Sequence, residues 1–178
     1  MAAPCREPVA APVVLRLLTP ERARRICDRA PDVTDHWAPD FPSEGDREAA
    51  GALLRDLDQG RAPGPFGPYE VIETEGGSVV GGINFHSAPD AEGAVEVGYG
   101  IVESAAGRGY GTAALAALVE VARGGAVAVV RGRALPENTA SRRVMEKAGL
   151  SFVGITDGYA CYQLLLAARA VVEHWDGD

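Results

Sequence analysis

The stretch from Glu96 to Thr112, EVGYGIVESAAGRGYGT, holds the residues best suited to chemistry. Its one strand-borne carboxylate, Glu96, is followed by glycines at alternate positions, Gly98 and Gly100. Side chains of an extended strand alternate between faces. Val95, Val97, Tyr99 and Ile101 therefore share one face, and Glu96, Gly98 and Gly100 share the other. Glycine inside a strand marks a bulge or a close approach by a ligand or another backbone. Here the glycines clear space beside a proton acceptor. A bulge or a tight helix crossing is the alternative.

Directly after this strand comes the turn Gly107, Arg108, Gly109, Tyr110, Gly111, Thr112, ahead of an Ala-rich helix. Free amides at a helix N-terminus, backed by the helix dipole, form an anion site. Arg108 adds a direct charge. A phosphate loop of the Gly-Lys-Ser/Thr type is absent. The dinucleotide fingerprint needs an acid at the end of the next strand, and that strand ends Arg131, Gly132, Arg133, Ala134. A different diphosphate ligand is expected, with a plain surface loop as the alternative.

A third cluster opens at Asn138. Asn is a good helix cap, and Ser141 and Met145 follow at spacings that share one helix face. That face offers an amide and a hydroxyl to a ligand, or simply a cap with an exposed serine. Ala140, Val144 and Ala148 form a separate apolar stripe. The segment from Asp32 to Asp46 places Trp37 and Phe41 among acids, a composition suited to a cationic acceptor with an apolar part. His36, His86 and His174 are dispersed, and Cys5, Cys27 and Cys161 form no pair, so neither a metal site nor a disulfide framework is expected.

The elements that carry these residues follow from the pattern. A strand at 13–18 precedes a helix that starts with a Thr19 cap and Pro20 at its first position. A second helix is expected at 47–57. Strands at 69–74, 78–85 and 94–102 read as an antiparallel meander. A helix at 112–123, a strand at 126–135, a helix from Asn138 to Gly149 and strands at 152–155 and 159–166 complete the order. A meander followed by strand–helix alternation implies an α/β fold: a mixed, largely antiparallel sheet of about seven strands flanked by about four helices. The chain has 178 residues, suited to one domain. That domain is expected at 12–168, with a disordered lead-in at 1–11 and a tail at 169–178. The net charge of -8 and pI near 4.9 oppose binding to nucleic acid and tolerate a cationic substrate. No run is apolar and long enough to span a bilayer, and no signal peptide is evident. A cytoplasmic location is expected, as a monomer or homodimer.

Taken together, Glu96 to Tyr99, the turn Gly109 to Gly111, and Asn138 to Ser141 continuing through Glu146 to Leu150 resemble the GNAT superfamily of acetyltransferases, in its ribosomal-protein N-acetyltransferase branch. The resemblance covers roughly 12–167. It implies transfer of an acetyl group from acetyl-CoA to a primary amine of a small molecule or peptide N-terminus, without a metal. It further implies that amides of Gly107, Arg108, Gly109, Tyr110, Gly111 and Thr112 hold the pyrophosphate. Backbone groups of Ile101 and Val102 would pair with the pantetheine arm, Asn138 would hydrogen-bond it, and Ser141 would lie near the sulfur. Glu96 matches the general base, with an amide near Ile101 for the oxyanion. The chain departs from the family pattern at Ala106, where Gln or Arg is usual, and at Met145, where many members carry a Tyr that protonates the thiolate. Met145 cannot donate a proton, which leaves Ser141, water or no dedicated acid. The alternative from another class is a non-catalytic acyl-CoA-binding sensor on the same fold.

Overall fold

The computed structural model describes residues 12–166. The expected lead-in at 1–11 and tail at 169–178, with Cys5 and His174, lie outside the described residues. The elements run β1 (Val13–Leu17), α1 (Pro20–Asp28), α2 (Glu44–Asp58), β2 (Pro68–Glu73), β3 (Val79–Phe85), β4 (Ala94–Ile101), α3 (Tyr110–Gly124), β5 (Val129–Ala134), α4 (Thr139–Lys147), β6 (Ser151–Thr156) and β7 (Tyr159–Leu165). One seven-stranded sheet has the order β1-β2-β3-β4-β5-β7-β6. Only the β4–β5 pair is parallel. This is the mixed, largely antiparallel sheet with four helices that the sequence predicts.

Local chemistry sets the helix starts. Thr19 Oγ1 accepts from Arg22 N ahead of Pro20. A cap of this kind contributes about 1 kcal/mol. The second helix starts three residues earlier than 47, because Ser43 and Asp46 form a reciprocal capping box. Glu44, Gly45 and Asp46 are thus its first turn and not loop. Ser-x-x-Asp ahead of an apolar run is a readable start signal.

Alternation along β4 puts Val95 and Val97 in the core while Gly98 and Glu96 remain half-buried. On one face α3 packs close: a Cβ on Gly111 would meet Val144 of α4 and Ile101 of β4 at ordinary contact distances. Leu115 and Leu118 of α3 are fully buried. On the other face α1 and α2 pack together over β2, β3 and β4. The expected stripe on α4 is shifted. Ala140 is exposed, while Met145 is 1% exposed beside Gly132 of β5. Met145 is part of the core. Among the described residues no helix is long and apolar enough to cross a membrane.

Candidate active site

β4 and β5 pair only over Ala94, Val95 and Glu96, opposite Val129, Val130 and Arg131. Beyond Glu96 the strands part. On its other edge β4 stays bonded to β3: His86 N–H donates to Glu96 O, and Val102 N–H donates to Val80 O. Antiparallel pairing alternates, so even-numbered residues spend their amides on β3. The Val97 N–H is taken up by the last pairing with β5, so the C=O of Val97 and the N–H and C=O groups of Tyr99 and Ile101 face the opening. Of the two residues expected to bond a pantetheine arm, Ile101 therefore presents its backbone there, and the Val102 N–H is already used.

A cleft of 280 Å³ occupies the split. It is bordered by Glu96, Tyr99, Arg133, Asn138 and Ser141 among others. Asn138 caps α4 by accepting Ser141 N–H at 3.0 Å on Oδ1, which leaves its amide group as a donor. Ser141 is tied to Tyr99, which the sequence places on the strand face opposite Glu96 and gives no role. The Tyr99 hydroxyl lies 2.9 Å from both the carbonyl and the Oγ of Ser141. Burial raises the Tyr99 pKa, against a lowering by Ser141, so the phenol stays protonated at neutral pH. It donates to the carbonyl, and the Ser141 hydroxyl can donate back to it. Tyrosine at the third position after a strand carboxylate was the available signal.

Glu96 sits at the mouth, its side chain 32% exposed, with Oε1 at 2.8 Å from Arg133 Nε and 3.4 Å from His86 Nδ1. Arg133 meets it as an ion pair without an aligned hydrogen bond. The pairing of Glu96 with an arginine is thus present together with its place at the cleft.

The glycine turn lies beyond the end of β4. Gly107 and Gly109 have φ of 77° and 83°, values that favour glycine. Gly109 is the N-cap of α3 and offers no side chain to it. Among the described residues none of the N–H groups from Gly107 to Thr112 has a hydrogen-bond acceptor. A Cβ at Gly107 or Gly109 would meet nothing within 4 Å. Open space over unpaired amides at a helix start fits a diphosphate. The side chains divide. Arg108 is exposed and donates to Ser104 O at 3.4 Å. Tyr110 points inward and bonds Glu73 at 2.7 Å, and Thr112 is half-buried.

A larger cavity of 590 Å³ opens on the other side of β4 and shares His86, Gly98 and Tyr99 with the cleft. Gly82, Gly98 and Gly100 line it. A Cβ on Gly100 would stand in open space, so this glycine does clear room on the Glu96 face, whereas at Gly98 a Cβ would stand 2.6 Å from His86 Nε2 and the imidazole fills the space. Phe41 borders this cavity, and Trp37 stacks edge-on behind it with ring centroids 5.2 Å apart. Trp37 also anchors the loop through a bridge to Val79. Its ring N–H is buried without an acceptor among the described residues. Asp40 clamps the same loop to the end of β4 by accepting Ser104 N–H at 3.0 Å. Asp46, which the sequence reading assigned to a loop, lines the cavity from α2. Among the described residues, no group of three His, Cys, Asp or Glu side chains could hold a metal ion.

Comparison with known proteins follows this geometry. The family model described as an acetyltransferase (GNAT) domain matches residues 13–151. No curated protein matches the sequence. A GNAT-family acetyltransferase from Bacillus anthracis superposes with a TM-score of 0.60 at 21% identity, covering 86% of this chain and 94% of that one. An aminoglycoside acetyltransferase solved with coenzyme A and kanamycin gives 0.60 at 20% identity over 86% and 94%. A ribosomal L7/L12 α-N-protein acetyltransferase in complex with coenzyme A gives 0.63 at 18% over 90% and 98%. At such identities the likeness is one of fold.

Proposed function

The chain belongs to the GNAT acetyltransferase family, and on that premise we propose that a single domain at 12–168 moves the acetyl group of acetyl-CoA onto a primary amine by direct attack, with Glu96 as general base. The observation that carries this reading is the parted edge of β4, which runs into a turn of unpaired amides at the start of α3. Acetyl-CoA supplies the acyl group as an activated thioester. The amides of Gly107 to Thr112 would hold its diphosphate, and backbone groups at Ile101 and Tyr99 would hold the pantetheine arm as an added strand does. The free amide of Asn138 reaches the same cleft.

An alkylammonium cannot attack until it loses its proton, and a carboxylate at the pocket mouth takes it directly or through water. Glu96 stands there, oriented by Arg133 and His86. An unspent N–H of Tyr99 or Ile101 is a fixed donor for the oxygen on which charge develops. At the far side of the cleft the hydrogen-bonded Tyr99 and Ser141 hydroxyls are the protic groups in reach of a departing sulfur. The buried Met145 takes no part. The neighbours solved with an aminoglycoside or named for a ribosomal protein support either a small-molecule or a peptide acceptor.

The test is incubation with acetyl-CoA and a panel of primary amines and peptides, read by mass spectrometry, beside calorimetry of acetyl-CoA binding. Transfer to at least one amine class is expected. Tight binding with no transfer to any amine would favour the sensor alternative, and no binding would remove coenzyme A from the reading.

A further inference from the structure

Acetyl transfer at the edge of β4 leaves one feature of the larger cavity unused. Asp46, in the first turn of α2, is 9% exposed, and its two oxygens differ. Oδ2 accepts both the N–H and the hydroxyl of Ser43, at 2.8 and 2.6 Å. That satisfies the helix cap. Oδ1 receives no hydrogen bond among the described residues. It lies over Gly82 in the cavity wall, where a Cβ would stand 2.3 Å from it.

Among the described residues no Arg, Lys or His side chain pairs with Asp46. Arg16 and Arg22 are engaged with Glu70. Glu48, Arg55 and His86 line the cavity without bonding to Asp46. Burial holds the Asp46 carboxyl above the usual range, and the nearby charge of Glu70 adds to this. A buried carboxylate without a counter-ion is unfavourable. A cap alone does not need the second oxygen, and a methyl in place of Gly82's hydrogen would displace it.

We infer that Asp46 receives a second cationic nitrogen of the acceptor, so that the substrates are compact diamines or longer polyamines. The inference rests on the amine-acetylation reading. Gly82 pairs with Gly100 of β4, one strand spacing of about 4.8 Å away. The free edge of β4 lies on the far side of Gly100. A nitrogen over Gly82 and one at that edge are thus roughly 6–8 Å apart, which an extended chain of four methylenes spans. The cavity of 590 Å³ has room for such a chain. In the reaction Glu96 first takes the proton of the reacting ammonium, and the freed nitrogen lone pair forms its bond to the acetyl carbon. The carbon–sulfur bond breaks with its electron pair leaving on the coenzyme A sulfur, and the nitrogen's second proton passes to that thiolate to give the free thiol. The nitrogen on Asp46 stays charged and unchanged.

The experiment compares butane-1,4-diamine with butylamine, which has the same chain and one charge. The wild-type protein should favour the diamine in kcat/KM by at least about tenfold. Asp46→Asn keeps an oxygen for Ser43 but loses the charge, and should erase the preference by raising the diamine's KM. Gly82→Ala, which crowds Oδ1, should act in the same direction. Calorimetry of butane-1,4-diamine on the CoA-loaded protein reads the site independently of turnover. Transfer to both amines alike, or a preference that survives both substitutions, overturns the inference and leaves the proposed function standing. Asp46-dependent binding of the diamine without any transfer upholds the site and overturns the function. Neither binding nor transfer overturns both.

Discussion

Glu96 serves two masters, the cleft and Arg133, and the substitution Glu96→Gln separates them. The ion pair is one-third exposed on the glutamate side and half exposed on the arginine side, so it contributes at most about 1 kcal/mol to stability. Loss of general-base help is typically worth about 100- to 10,000-fold. Glu96→Gln should therefore lower turnover by at least about tenfold, allowing for water as a substitute base, with acetyl-CoA affinity and melting temperature nearly unchanged. Steady-state kinetics beside a thermal melt decide it: a large drop in melting temperature with a wild-type rate would make Glu96 structural. At this scale Glu96 and the pair Asn138 and Ser141 stood in separate motifs that only the resemblance to the GNAT family joined, and all three border the cleft. The sequence did not show Arg133, His86 or Tyr99 beside them. Those partners depend on strand order, on the hand of the β4–β5 crossover and on where α4 lands, none of which is local. Asp46 escaped for a different reason: the Ser43 cap was not read, and a buried helix residue looked like loop.

The turn before α3 and the helix itself divide the work of their glycines. Gly107 and Gly109 hold positive φ in open space, so their role is the path of the backbone. Gly111 instead sits where α3 crosses α4 and β4, with Val144 and Ile101 at the distance of ordinary contact. A Cβ alone fits there, but the branches of valine would be driven into Val144. Gly111→Val should thus destabilise the domain by about 1–3 kcal/mol, a packing defect that clouds any test of binding. Gly109→Ala is the sharper probe. It strains the left-handed cap by about 1 kcal/mol and turns the amides of Tyr110 and Gly111 away from a common focus. Calorimetry should show acetyl-CoA affinity reduced about tenfold in a protein that still melts cooperatively; undiminished affinity would take the turn out of the site. Element order and type were readable because helix caps, glycine stops and alternation are local signals. The parting of β4 from β5 was not, since strands at 94–102 and 126–135 give no sign of how many residues they pair.

Across the whole molecule, buried charge is distributed in two unlike ways, and pH should resolve them. On one side Arg22 binds Glu70 through two nitrogens and Asp35 through a third, at 2.6 to 2.7 Å, with Arg25 also on Asp35. This ties α1 and the following loop to β2. For Asp35, burial alone would raise the pKa, but hydrogen bonds and the charges of Arg22 and Arg25 win and hold it low. Asp40, bonded by Ser104, and Asp90, bonded by the backbone of Ala94, are also held low. A carboxyl whose folded pKa is depressed contributes stability above its unfolded pKa, near 3.9, and loses it as pH falls through the folded value. Asp46 is the opposite case. Its pKa is raised by burial and by Glu70, so its charged form destabilises the fold at neutral pH, and that cost is relieved as pH falls through the raised value toward 3.9. The two effects predict a melting temperature that climbs modestly as pH drops from 7 toward about 4 and then falls steeply below it. Asp46→Asn should flatten the upper slope and leave the acid collapse in place. A diamine that neutralises Asp46 should likewise raise the melting temperature more at pH 7 than at pH 4. Melts across this range that decline monotonically from neutrality, identically in wild type and Asp46→Asn, would show that Asp46 finds its counter-charge within the protein.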